Sequence, residues 1–355
     1  MQQKAVVVLL LVLLCYILGL VTAFYFPEQL GAVLTTVLQG KIRPFVVSRN
    51  FNETIGYVTD RKPGPALNGN ASYLGEYAGQ TSYGLITVQI PQHYPAGAPL
   101  DGDAIKKVES ISYPAFLKFL QDRSAKPLII WVHGYRLSFP VSTAYCAQVA
   151  RDLDIDANVV TFDWASSESV LAYTRDVQQV PQSTQHLVSL LETINNEVKP
   201  AKIIIIAHSL GCRLACLALQ KLYENPSTRN LKLDHVVFLA PNVDREEFDQ
   251  NFKSGLQALV KTSIQSVCRN NSRPTRIWTK FKRSSITKNS FRGKSISWTF
   301  RFRKKIFSGK HRLFLERPVM EDLFWLIHDD YPAAKRHLLK YQGTHNPTDY
   351  WVIPP

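Results

Sequence analysis

Along the middle of this chain, short apolar runs alternate with stretches in which apolar residues recur at helical spacing, the pattern of a parallel sheet with helices between its strands. The clearest unit is Ala201 to Leu219, AKIIIIAHSLGCRLACLAL. Ile203 to Ile206 are β-branched and too few for a lone helix, so they predict a strand buried on both faces. Leu210, Leu214, Leu217 and Leu219 then keep the spacing of a helix. His208, Ser209 and Gly211 lie at the junction. A strand, a sharp turn at a serine and a helix lift the hydroxyl clear of the sheet end. The free amides of the helix N-terminus then favour negative charge developing beside it. The plain alternative is a serine in an ordinary strand-to-helix turn. Ala207 also departs from the first glycine of the G-x-S-x-G pattern.

A second apolar run, Leu128 to Val132 in PLIIWVHGY, ends at His133 and Gly134. Acyl transfer needs two donors on its oxyanion, and the expected pair is the Leu210 amide and one from the Gly134 to Tyr135 turn. His133 is expected to brace this loop by hydrogen bonds rather than carry a proton. His208 is expected to make a packing or loop contact.

These motifs resemble the α/β-hydrolase superfamily, and within it a bacterial family whose members are mostly of unassigned function. The matching pieces are YGLITVQIP (Tyr83 to Pro91), WVHGY, TFDWAS (Thr161 to Ser166), IIAHSLGCR, FLAPNVDREEF (Phe238 to Phe248) and GKHRLFLERPVMEDL (Gly309 to Leu323). They span about residues 83 to 323, with one gap. The resemblance implies a mainly parallel sheet flanked by helices and a serine hydrolase mechanism, without fixing a substrate. In this family the order is Ser, acid, His. His311 fits the histidine, since it follows Gly309 and leads through Pro318-Val319 into the helix-like EDLFWLI. His328, His337 and His345 fall in a polar tail.

The acid departs from the pattern. The family has an aspartate after its next-to-last strand, where this chain has Asn270 and Asn271. An asparagine can orient an imidazole but cannot stabilise the imidazolium. The alternative is Asp244, at the end of HVVFLAPNVD, which could equally cap the helix begun at Arg245. Asp163, ending the TFDW strand, reads as a loop hydrogen-bonder.

The gap coincides with a charge anomaly. Residues 250–315 hold 17 lysines and arginines and no Asp or Glu, more than the net +14 of the whole chain. One reading is a basic surface for anionic membrane or envelope polymers. A nucleic-acid surface is weaker, because no fold of that kind is recognisable. The third is a local shift of reading frame, which reading the coding DNA in all three frames would decide.

At the N-terminus, Ala5 to Phe26 is uncharged over 22 residues, long enough to cross a bilayer core of about 30 Å. Lys4 precedes it, so the expected arrangement is a signal anchor, or a signal cleaved after Ala23, with the remainder outside the cytoplasm. The expected organisation is this segment (1–26), a linker or lead-in (27–82), a hydrolase domain (83–328) containing the basic stretch, and a tail (329–355). Cys212 and Cys216, four apart on the helix after Ser209, are expected to pack in the core, and no cysteine–histidine cluster has zinc spacing. No cofactor or metal is expected. The expected activity is cleavage of an ester or related acyl bond through a Ser209 acyl-enzyme with His311 as base. The rival readings are a non-catalytic binding protein of the same fold and an acyltransferase.

Overall fold

The computed structural model describes residues 46–47, 51–90, 94–95, 100, 104–270, 295–302, 317–332, 335–336, 339–341 and 350–353. The strands of its main sheet are β1 (Phe51–Pro63), β2 (Tyr73–Ile90), β3 (Ile105–Ile111), β4 (Leu128–Val132), β5 (Asn158–Asp163), β6 (Ile203–His208), β7 (Leu233–Leu239), β8 (Val260–Asn270), β9 (Ser295–Phe302), β10 (Leu339–Tyr341) and β11 (Tyr350–Ile353). The helices named here are α1 (Tyr113–Gln121), α2 (Phe139–Leu153), α3 (Tyr173–Thr193), α4 (Leu210–Glu224), α5 (Lys253–Leu259) and α6 (Arg317–His328). Among the described residues the sheet order is β10-β11-β9-β8-β7-β6-β4-β5-β1-β2-β3. Within it, only β2 and β10 run against the rest.

The central strands are apolar throughout because helices cover both faces. Ile203, Ile205 and Ala207 share a core with α1, α3, α4 and α5. Ile204 and Ile206, on the other face, pack with α2 and α6. Strand β4 lies between β5 and β6. The chain leaves β4 into α2 and β6 into α4, and these helices cover opposite faces. Loops that diverge in this way open a crevice at the carboxyl ends of the two strands, where ligands bind in open α/β sheets.

Two expected boundaries shift. Residues 51–82 are not a lead-in: they supply β1 and most of β2, and β1 pairs in parallel with β5. The run Ile55 to Arg61 is fully buried, although Thr59, Asp60 and Arg61 are polar, and that composition disguised the strand. The stretch after residue 328 likewise adds β10 and β11 to the sheet edge. The apolar run 5–26 lies outside the described residues. Among the described ones, no helix is long and apolar enough to cross a membrane.

Candidate active site

Ser209 stands between β6 and α4 with φ 51° and ψ −118°, a backbone region that costs a non-glycine residue about 1–3 kcal/mol. Neighbouring segments hold it there. Its N–H donates to the Leu239 carbonyl at 2.9 Å, and its own carbonyl accepts from Asn242 N at 3.0 Å and Cys212 N at 3.1 Å. Residues 203–208 and Leu210 are buried, whereas Ser209 is partly exposed. The turn therefore presents this serine at the surface of an otherwise closed element.

Two glycines allow the close approach around it. A Cβ on Gly211 would clash with the His133 carbonyl oxygen and stand 2.7 Å from that of Val132, so the first turn of α4 rests on the end of β4. A Cβ on Gly134 would stand 2.6 Å from His208 Nδ1 and 3.0 Å from Ser209 Cβ. The backbone after β4 thus lies against the serine, beside the first amides of α4, whose donors have no partner within the helix.

His133 is fully buried. Its Nδ1 lies 2.7 Å from the Gly134 carbonyl, and its Nε2 lies 3.1 Å from the Trp164 carbonyl and 3.2 Å from Asp163 Oδ1. Its ring stacks on Trp164. His208 stacks on Trp131. The Tyr135 hydroxyl donates to the Ser169 carbonyl at 3.0 Å. Its ring meets Tyr173 edge-on, and the Tyr173 hydroxyl accepts from Asn242 Nδ2 at 2.7 Å. Arg136, at φ 60°, donates its amide to Ser166 Oγ at 2.8 Å.

Sequence reasoning overlooked the group beneath this loop. Arg61, at the end of β1, is fully buried with Asp163. Its Nε donates to Asp163 Oδ2 at 2.5 Å, Nη1 to the Ser166 carbonyl at 2.8 Å and Nη2 to the Leu137 carbonyl at 2.7 Å. Burial alone would raise the Asp163 pKa, but the Arg61 guanidinium and His133 outweigh it and hold this carboxyl well below the usual range. Asp163 is therefore half of a buried ion pair rather than a simple loop contact. The available signal was the Asp-Arg pair followed by Pro63 and Gly64, which marks a strand end.

Asp244 is exposed and caps a short helical turn. Its Oδ1 accepts from Glu246 N at 2.8 Å and Glu247 N at 3.1 Å. Glu247 in turn takes both Arg213 nitrogens at 2.7 Å, tying this turn to α4. Asn270 is the last residue of β8, in register with Phe302. His311 and Asn271 lie outside the described residues. Cys212 and Cys216 are buried in the core, and burial pushes the Cys216 thiol up. Among the described residues no group of three or more His, Cys, Asp or Glu could hold a metal ion.

One family description agrees with this architecture. Residues 111–277 match the family described as alpha/beta hydrolase of unknown function (DUF900), and the match ends inside the basic stretch. An uncharacterized protein of Nostoc sp. (strain PCC 7120), alr1448, is 27% identical over a match covering 44% of this chain and 55% of that protein. The chain thus spans little more than half of that relative. Among solved structures, vibralactone cyclase aligns over 70% of each chain at 10% identity and a TM-score of 0.28. An esterase of Pyrobaculum calidifontis aligns over 72% of this chain and 78% of its own at 14% identity and 0.27. Likenesses at these scores carry no information about activity. Residues 111–277, a little under half of the chain, are thus similar to a family of alpha/beta hydrolases of unassigned function, and the mainly parallel sheet flanked by helices is the arrangement of that fold.

Proposed function

We propose that this protein cleaves an ester or related acyl bond through an acyl-enzyme on Ser209. The observation that carries the reading is the Ser209 turn, held at positive φ with the Gly134 backbone pressed against it. A strained, partly exposed serine at the crevice between β4 and β6 is the arrangement nucleophilic acyl transfer needs. In the proposed cycle, Ser209 Oγ attacks the acyl carbon while His311 takes its proton. The oxyanion accepts from the amides of Leu210 and the Gly134–Tyr135 turn. The alcohol leaves with the proton from His311, and water then repeats the sequence in reverse to release the acid. Replacing that water by an alcohol would make the same residues an acyltransferase.

Asp244 is the proposed orienter of His311. Capping engages its Oδ1, and a carboxylate has a second oxygen to offer an imidazole. The capping role, together with Asn270 at the end of β8, also favours a second reading, a binding protein that has lost its acid. A fluorophosphonate probe separates the two. The wild type is expected to be labelled and Ser209→Ala to escape labelling. Equal labelling of both would sink the Ser209 assignment, and an unlabelled wild type would favour the binding protein.

A further inference from the structure

An oxyanion donor works only if its amide already points at the reacting centre. A backbone amide is turned by fixing the carbonyl that shares its peptide plane, because the two point in opposite directions across a trans bond. The Gly134 carbonyl is fixed at 2.7 Å by His133 Nδ1, which sets the plane containing the Tyr135 amide. The Arg136 amide is fixed at 2.8 Å by Ser166 Oγ, which sets the next plane. Both peptide planes flanking Tyr135 are thereby anchored, one through His133 and the other through Ser166.

Arg61 reaches both anchors. It holds the Ser166 carbonyl at 2.8 Å and, further along the same loop, the Leu137 carbonyl at 2.7 Å. Its Asp163 partner meets His133 Nε2 at 3.2 Å, and Thr59 Oγ1 donates to the Asp163 carbonyl at 2.6 Å. Neutralising Asp163 requires only one charge nearby. The rest of the guanidinium fork ends on the loops after β4 and β5, the first of which lies against the serine, and only a planar, multidentate donor reaches both. Arg61 lies on β1, outside the span matched by the family.

We propose that Arg61 is a positioning residue for the reaction: with Asp163 and His133 it sets the Tyr135 amide as the second oxyanion donor beside Ser209. This rests on the hydrolase reading above. Arg61→Lys in the full chain keeps the charge beside Asp163 but loses the fork. Removing an oxyanion donor outright costs about 100- to 1000-fold, so a misdirected one is expected to lower kcat by about 10- to 100-fold. KM should stay within about twofold, because the donor acts mainly on the transition state. Inhibition by a phenylboronic acid, whose serine adduct is tetrahedral, should weaken with kcat.

Unchanged kcat in a folded Arg61→Lys, or a rise in KM alone, overturns the proposal. Should the lysine variant fail to fold, Ser166→Ala decides: it removes the hydroxyl that accepts the Arg136 amide, and it must show the same loss in kcat and boronate affinity. A wild type no more active than Ser209→Ala would remove the hydrolase reading and this inference with it. An active wild type with an unaffected clamp variant removes this inference alone.

Discussion

Asp60 and Asp163 are both buried at the carboxyl ends of neighbouring strands, and their surroundings push them in opposite directions. Burial raises the Asp60 pKa, and the Ser183 hydroxyl, the Ala165 amide at 2.6 Å and His186 offset it incompletely. Asp163 suffers the same burial but has Arg61 against it and stays low. As pH rises above about 3.9, an unfolded aspartate loses a proton that folded Asp60 retains, so its contribution to stability falls until the folded pKa is passed. As pH drops below about 3.9, the unfolded chain takes up a proton that folded Asp163 refuses, so the Asp163 contribution is lost toward acid. Urea unfolding across pH should show this division. Asp60→Asn is expected to flatten the decline above pH 4 and leave the acid limb, whereas Asp163→Asn should weaken the acid limb. An Asp60→Asn curve parallel to the wild type would show that Asp60 ionises normally.

Among the elements, the unit β6–turn–α4 was legible because one signal served two purposes. Four β-branched residues both favour a strand and fill two apolar faces, and the leucines that follow change the period within three residues. Strand β1 showed only its end, at Pro63 and Gly64, for the opposite reason. Its burial depends on pairing Arg61 with Asp163, about a hundred positions away, and local pattern carries no trace of such a partner. The turn at Asp244 lies between these cases, since capping and acid chemistry ask for the same residue type. Asparagine separates them, because it caps about as well as aspartate but cannot stabilise an imidazolium. Asp244→Asn is therefore expected to unfold at the wild-type temperature while ester hydrolysis falls by as much as about 10⁴. Wild-type turnover in that variant would mean that Asp244 only caps, and that any acid serving His311 comes from elsewhere.

At the scale of the whole molecule, the family match begins at residue 111, while the sheet on which the site rests begins at β1. Removing everything before residue 111 would strip β5 of its partner β1 and expose Val160 and Phe162 where they pack with Val58. Burial of side chains this size is worth about 1.5–3 kcal/mol each, and a domain's total stability is only about 5–15 kcal/mol. The same cut deletes Arg61 and leaves Asp163 as a buried carboxylate without its guanidinium, which by itself costs about 3–5 kcal/mol. A chain begun at Val46, where the compact unit that holds the sheet starts, is expected to unfold cooperatively and to react with a fluorophosphonate. A chain begun at residue 111 should do neither. Labelling of the shorter chain at the rate of the longer one would show that the segment matched by the family builds the site alone, and that β1 and β2 are an addition to it.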